Sequence, residues 1–154
     1  MHRDELLANP LAFMPPDRLL DGLSPEDAAR KIPGVNHSIV EILAHMVFYQ
    51  SWFLSRCRGV AEPMAEHAAQ GWPAAGATDW EPLRKEFLKG LQLALELPEH
   101  GRVDPPIEFP PLAEYTIDDA VTHMAQHNAH HLGQIVILRQ MLNLWPPPAG
   151  SYTW

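Results

Sequence analysis

Four of the nine histidines of this chain, His123, His127, His130 and His131, fall within nine residues of one another. On a helix, residues four apart lie one above the other on the same face. His123, His127 and His131 therefore form a column, while His130 points about 100° away from His131 and belongs to another face. Two imidazoles at that spacing can hold one metal ion, which then needs a third protein ligand from elsewhere in the chain. The plainer alternative is a helix carrying solvated or core histidines, since a lone His-x-x-x-His pair also arises by chance.

The surrounding pattern decides how such a column would be presented. Ile117, Ala120, Val121, Met124, Ile135, Leu138 and Leu142 follow helical spacing and define an apolar stripe on a helix from Ile117 to about Leu142. At 100° per residue, His131 lies about 20° from the centre of that stripe, His127 about 60° and His123 about 100°. Imidazoles turned toward a core need partners for their ring nitrogens, because an unpaired buried polar group costs ~1–3 kcal/mol. A metal is one such partner. Thr116-Ile117-Asp118-Asp119 supplies a capping box that opens this helix.

Two further long helices can carry it. Residues 38–58 read as helix, with Asn36 or Ser38 as cap and Arg58-Gly59 as stop. Ile39, Leu43, Met46, Gln50, Phe53 and Cys57 run along the middle of one face, flanked by Ile42, Val47 and Leu54. His45 sits about 120° from the centre of that face, beside Ser38, Tyr49 and Trp52. It is a boundary residue: either a half-exposed histidine packed on Trp52, or a group at the rim of a bundle site. Thr78-Asp79-Trp80-Glu81-Pro82 starts another helix, in which Leu83, Phe87, Leu88, Leu91, Ala94 and Leu95 keep helical spacing until Pro98.

The connections are long and broken by proline and glycine. Val60 to Thr78 is a loop, with a short helix at Met64–Gln70, and loops of that length often cover a site. Glu99 to Glu114 contains Pro105-Pro106 and Pro110-Pro111 and must cross over in extended form. In residues 1–35, Pro10, Pro15 and Pro16 leave room only for short helices at Asp4–Ala8, Pro16–Leu20 and from Ser24 to Pro33-Gly34. Trp145 and Trp154 are expected to pack back on the body. No segment alternates as a strand would, so the fold class is all-α: an up-down bundle in a single domain over residues 1–154.

Composition narrows the partners. A formal charge of −8 with 11 scattered basic residues argues against nucleic acid and anionic membranes. One cysteine, Cys57, excludes an internal disulfide and a cysteine-based zinc knuckle. With no signal peptide and no run of ~18 apolar residues, the expected location is cytoplasmic.

His37-Ser38-Ile39-Val40-Glu41-Ile42-Leu43-Ala44-His45-Met46 resembles the second-helix motif of the DinB superfamily, which takes in the YfiT-like metalloproteins. His127-Asn128-Ala129-His130-His131-Leu132-Gly133-Gln134-Ile135-Val136, followed by Leu138-Arg139 and Trp145-Pro146-Pro147, resembles its last-helix signature. The likeness runs from about Ile32 to Trp154. It implies a four-helix bundle, in many members a homodimer, with a divalent metal (zinc, nickel or iron(II)) on three histidines. Carried over, these are His45, His127 and His131, leaving His123 one turn early and His130 off the column. The first helix departs from the pattern, because prolines interrupt it.

The same resemblance implies two activities. One is metal-dependent S-transfer from a low-molecular-weight thiol to a small electrophile. The other is metal-dependent hydrolysis, which would benefit from a positioned base. Asn128 stands where His-Glu-x-x-His enzymes carry that base, and Glu41 is the nearest acid, expected to support a ligand or face solvent. Thiol transfer is therefore the favoured expectation. A stress-associated bundle that binds metal or ligand without catalysis is the alternative from another class.

Overall fold

The structure is a computed structural model that describes residues 2–151. Its regular structure is helical; among the described residues the one β pairing is an isolated bridge between Arg102 and Thr116. Three helices are short: α1 (Arg3–Leu7), α2 (Pro16–Leu19) and α3 (Pro25–Ala29). Three are long: α4 (Ile39–Cys57), α5 (Trp80–Leu95) and α6 (Ile117–Met141).

Local chemistry sets the ends of the long helices. Ser38 caps α4, its backbone N–H donating to the Glu41 carboxylate at 2.7 Å while its hydroxyl accepts from the Glu41 N–H. At the other end Gly59 adopts φ +83°, a left-handed conformation that glycine enters without a Cβ penalty. Thr116 and Asp119 close the corresponding box on α6, at 2.9 and 3.1 Å. Helix α5 is entered through a 3-10 turn at Ala77–Asp79.

Helix α4 is the central element, packed against both α5 and α6. Gln50, in the middle of its apolar face, is the polar tie among the three: its Nε2 donates to the Phe87 carbonyl of α5 at 2.9 Å, and its Oε1 accepts from Asn128 of α6 at 3.4 Å. That bridge passes through Gly90, where an added Cβ would lie 1.7 Å from the Gln50 amide. A side chain at position 90 would break it.

The proline-interrupted arm folds back over the long helices. Arg3 donates to the carbonyls of Leu97 and Pro98, at 2.6 and 2.7 Å, and pairs with Asp118. Arg139, 1% exposed on α6, donates to the carbonyls of Leu19, Asp21 and Leu144 and lies over the Trp145 ring. The helix from Ser24 ends at Ala29, earlier than Pro33-Gly34; the positive φ of Gly34, +80°, turns the chain before α4. The crossover is not extended throughout: Pro110–Leu112 forms a 3-10 turn, whose first positions need no N–H donor and so accept the proline pair, and its own Val103, Ile107 and Leu112 are buried. Trp145 is partly buried against the core, and Trp154 lies outside the described residues.

Candidate metal centre

Helix α4 brings His45, and α6 brings His127 and His131, to one place. Their ring centroids are 4.9, 4.6 and 4.5 Å apart pairwise, and one nitrogen from each ring lies within 4.8 Å of the others. The Nε2 atoms of His45 and His127 are 3.1 Å apart. Two nitrogens on one tetrahedral zinc ion, each ~2.05 Å from it, would be roughly 3.3 Å apart. The three side chains can hold a single divalent ion.

The surroundings orient two of the rings for that task. His45 Nδ1 is 2.6 Å from the carbonyl oxygen of Gly71, an acceptor only, so Nδ1 carries the proton and Nε2 keeps its lone pair. His131 Nδ1 donates to Gln134 Oε1 at 2.7 Å, one turn along α6, which leaves its Nε2 as the lone-pair nitrogen as well. The Gln134 amide N–H₂ in turn donates to His130 Nε2 at 3.3 Å. All three rings are neutral near pH 7. Burial lowers the pKa of His45 and of His131, and burial together with the neighbouring imidazoles pushes that of His127 down to about 3. With Nδ1 of His45 protonated, its Nε2 is the acceptor in the 3.1 Å contact with His127 Nε2.

A roof of aromatic rings covers His45. Trp72 stacks on it at 3.8 Å with planes 6° apart, and His37 stacks on the other face of Trp72 at 3.9 Å. Tyr49 meets His45 and His127 edge-on, at 5.1 and 5.4 Å. Of the two settings open to His45, packing on Trp52 is not the one it takes. His45 is 7% exposed rather than half-exposed, and its stacking partner comes from the loop between α4 and α5. Trp52 instead anchors the entry of that loop, its indole N–H reaching the carbonyls of Glu62 and Pro63 at 3.2 and 3.0 Å. The loop does cover the site, but in place of a helix over Met64–Gln70 it forms a 3-10 turn at Ala68–Gly71.

Other candidate residues stay apart from the three. The Tyr115 hydroxyl is 3.0 Å from His123 Nδ1, and the His123 ring packs on Phe53. His130 is exposed. Asn128 is buried and turned to Gln50. Glu41 caps α4 and pairs with Lys31; the hydrogen bonds that lower its pKa, from Lys31 and Ser38, outweigh the opposing effect of burial. Helical spacing sets Tyr49 beside His45 but gives no signal for Gly71 or Trp72, which lie on the loop. Gln134 could have been found as the residue three positions after His131, on its own helix face.

The model of the DinB superfamily matches residues 17–135, a span that holds His45, His127 and His131. No curated protein and no solved structure matches the chain.

Proposed function

The chain belongs to the DinB superfamily, and from that premise we propose that it is a divalent-metal protein that transfers low-molecular-weight thiols to small electrophiles. His45, His127 and His131 are the proposed ligands, and zinc, nickel or iron(II) the proposed ion. The observation that carries this reading is the convergence of three neutral imidazoles, two of them locked with Nε2 free by Gly71 and Gln134. Three neutral ligands leave open positions, as in catalytic rather than closed structural sites. An ion there would supply Lewis acidity, lowering the pKa of a thiol or of water.

Two features favour thiol transfer over hydrolysis. Among the described residues, no carboxylate joins the three histidines in a metal-binding group, and the nearest acid along α4, Glu41, is committed to the helix cap. Hydrolysis would thus lack the base that activates water. The chain's own thiol is not the nucleophile: Cys57 is outside the cluster, and burial pushes its pKa up to about 11. The thiol must come from solution. Its sulfur would attack the electrophilic carbon, the leaving group would depart with the bonding pair, and the thiol proton would pass to solvent. The roof of Trp72 and Tyr49 would keep His45 and His127 in place and shield the reacting pair from water.

The rest of the reading is a cytoplasmic homodimer acting on small molecules, without nucleic acid or membrane. No helix among the described residues is long and apolar enough to cross a membrane. In this reading helices α1–α3 together would take the place of the first helix of an up-down four-helix bundle, α1 packing on α5 and α6, α2 on α6, and α3 on α4 and α5.

The test is turnover of monochlorobimane with glutathione, cysteine and other small thiols, before and after chelation and readdition of zinc, nickel or iron(II). Metal-dependent bimane adducts that vanish in His127→Ala support the proposal. Thiol-independent hydrolysis of p-nitrophenyl acetate that needs the same metal would favour the hydrolase. Metal binding with neither reaction would make the protein a non-catalytic binding bundle.

A further inference from the structure

Beside the three histidines, and sharing two walls with them, lies a cavity of about 410 Å³ whose lining includes Asn36, His37, Ile42, Trp72, Ile137 and Met141. Resting on the metal reading above, we infer that this slot holds the apolar body of an uncharged small-molecule substrate, with its reactive end toward the histidines. Three observations carry the inference.

The first is position. Trp72 lines the slot and stacks on His45 at 3.8 Å, and Gln134 lines it and holds His131 Nδ1 at 2.7 Å. A molecule in the slot therefore touches Gln134 and the edge of Trp72, whose two faces are held by His37 and His45, and so reaches the groups that orient the metal-binding rings rather than the rings themselves. The second is charge. No Asp, Glu, Lys or Arg lines the slot, although the chain carries 19 acidic and 11 basic residues. Nothing there would compensate a charged ligand for lost hydration, whereas Asn36 and His37 can each meet one polar atom of a neutral one. The third is surface chemistry. Ile137 and Met141 are 55% and 53% exposed at the mouth, apolar area on α6 that an apolar guest would cover. The volume lies in the range of small-molecule sites.

A second apolar groove, between Leu11, Phe13 and Ala129, shares no residue with the groups that contact the three histidines. It serves as the control. Binding of the neutral probe N-phenyl-1-naphthylamine is to be followed by fluorescence on the full chain without metal, alongside its anionic relative 8-anilinonaphthalene-1-sulfonate. The expected result is saturable 1:1 binding of the neutral probe, at least 10-fold tighter than the sulfonate. Ile137→Arg and Met141→Arg, both at exposed positions, should each weaken it at least 10-fold, while Leu11→Arg leaves it unchanged. Equal loss in Leu11→Arg, no loss in either α6 variant, or preference for the sulfonate would overturn the inference. So would a dimer by light scattering that excludes the probe and that Ile137→Arg splits, since a second copy would then own the face. If thiol transfer fails while the probe obeys this pattern, the metal reading falls and the slot stands. If transfer holds and the probe ignores both α6 substitutions, the slot falls alone.

Discussion

The Gly71→Ala substitution would test how the loop between α4 and α5 governs the metal centre. A Cβ on Gly71 would lie 2.6, 2.7 and 2.9 Å from Cε2, Oη and Cζ of Tyr49, where ordinary contact begins at 3.4 Å. Either the loop or the ring must move by about 0.8 Å. If the loop yields, the hydrogen bond from His45 Nδ1 to the Gly71 carbonyl stretches from 2.6 Å toward 3.4 Å, the limit at which such a bond has lost most of its strength. If Tyr49 yields, its ring is driven toward His45 or His127, which it already meets edge-on. Both routes unseat a proposed ligand. Loss of a partner that orients a ligating histidine costs 10–100-fold in metal affinity, about 1.4–2.7 kcal/mol, and overpacking costs the ion-free fold a further ~1–3 kcal/mol. Zinc affinity, measured by competition with a chromophoric chelator, should fall by that factor in Gly71→Ala. It should recover in part in Tyr49→Ala/Gly71→Ala, the two changes being coupled rather than additive. Zinc affinity and melting temperature both equal to wild type in Gly71→Ala would refute the role given to the loop.

Zinc at 100 times its dissociation constant should stabilise the protein by ~2.7 kcal/mol, a rise of roughly 5–10 °C in melting temperature for a chain of this size. His127→Ala should abolish that rise and His123→Ala should keep it, because His123 is engaged with Tyr115; the reverse pattern would put His123, not His127, on the ion. Acid should destabilise the ion-free protein. The folded-state pKa values of His45, His127 and His131 lie below the ordinary histidine value, that of His127 at about 3, so between pH 6.5 and 3 the unfolded chain binds more protons. Stability is then full above about pH 6.5 and declines as pH falls through that window. Urea midpoints with chelator present should drop from pH 7.5 to 4.5 more steeply in wild type than in His127→Gln, and parallel slopes would contradict the assignment. Arg139→Met removes the donors that hold the carbonyls of Leu19, Asp21 and Leu144 and should cost ~3–5 kcal/mol in urea unfolding, whereas a loss under 1 kcal/mol would show that the arm is held by other contacts.

What was legible in the sequence is what lies within a turn or two of chain. The boxes at Ser38/Glu41 and Thr116/Asp119, the stop at Gly59 and the prolines that split the arm each act through neighbouring backbone, so their residues announce the helix ends. The pair His127/His131 is legible for the same reason, being a property of one helix. His45 is the instructive intermediate case. Its angle on α4 placed it at the edge of the buried face, and the exposure expected there was wrong because helical periodicity counts only what α5 and α6 cover. The remaining cover comes from Gly71 and Trp72, on a loop with no period, whose position depends on Trp52 holding the carbonyls of Glu62 and Pro63 some ten residues upstream. Gly71 reads in the sequence as a chain breaker; in the structure it is glycine because Tyr49 occupies the space of a side chain, and its carbonyl fixes the tautomer of His45. The imidazole column thus says where an ion could bind, whereas the lone pair of His45 reaches it only because an aperiodic loop is fastened at both ends. Substitutions in that loop should therefore alter metal affinity even though none of its residues is a proposed ligand.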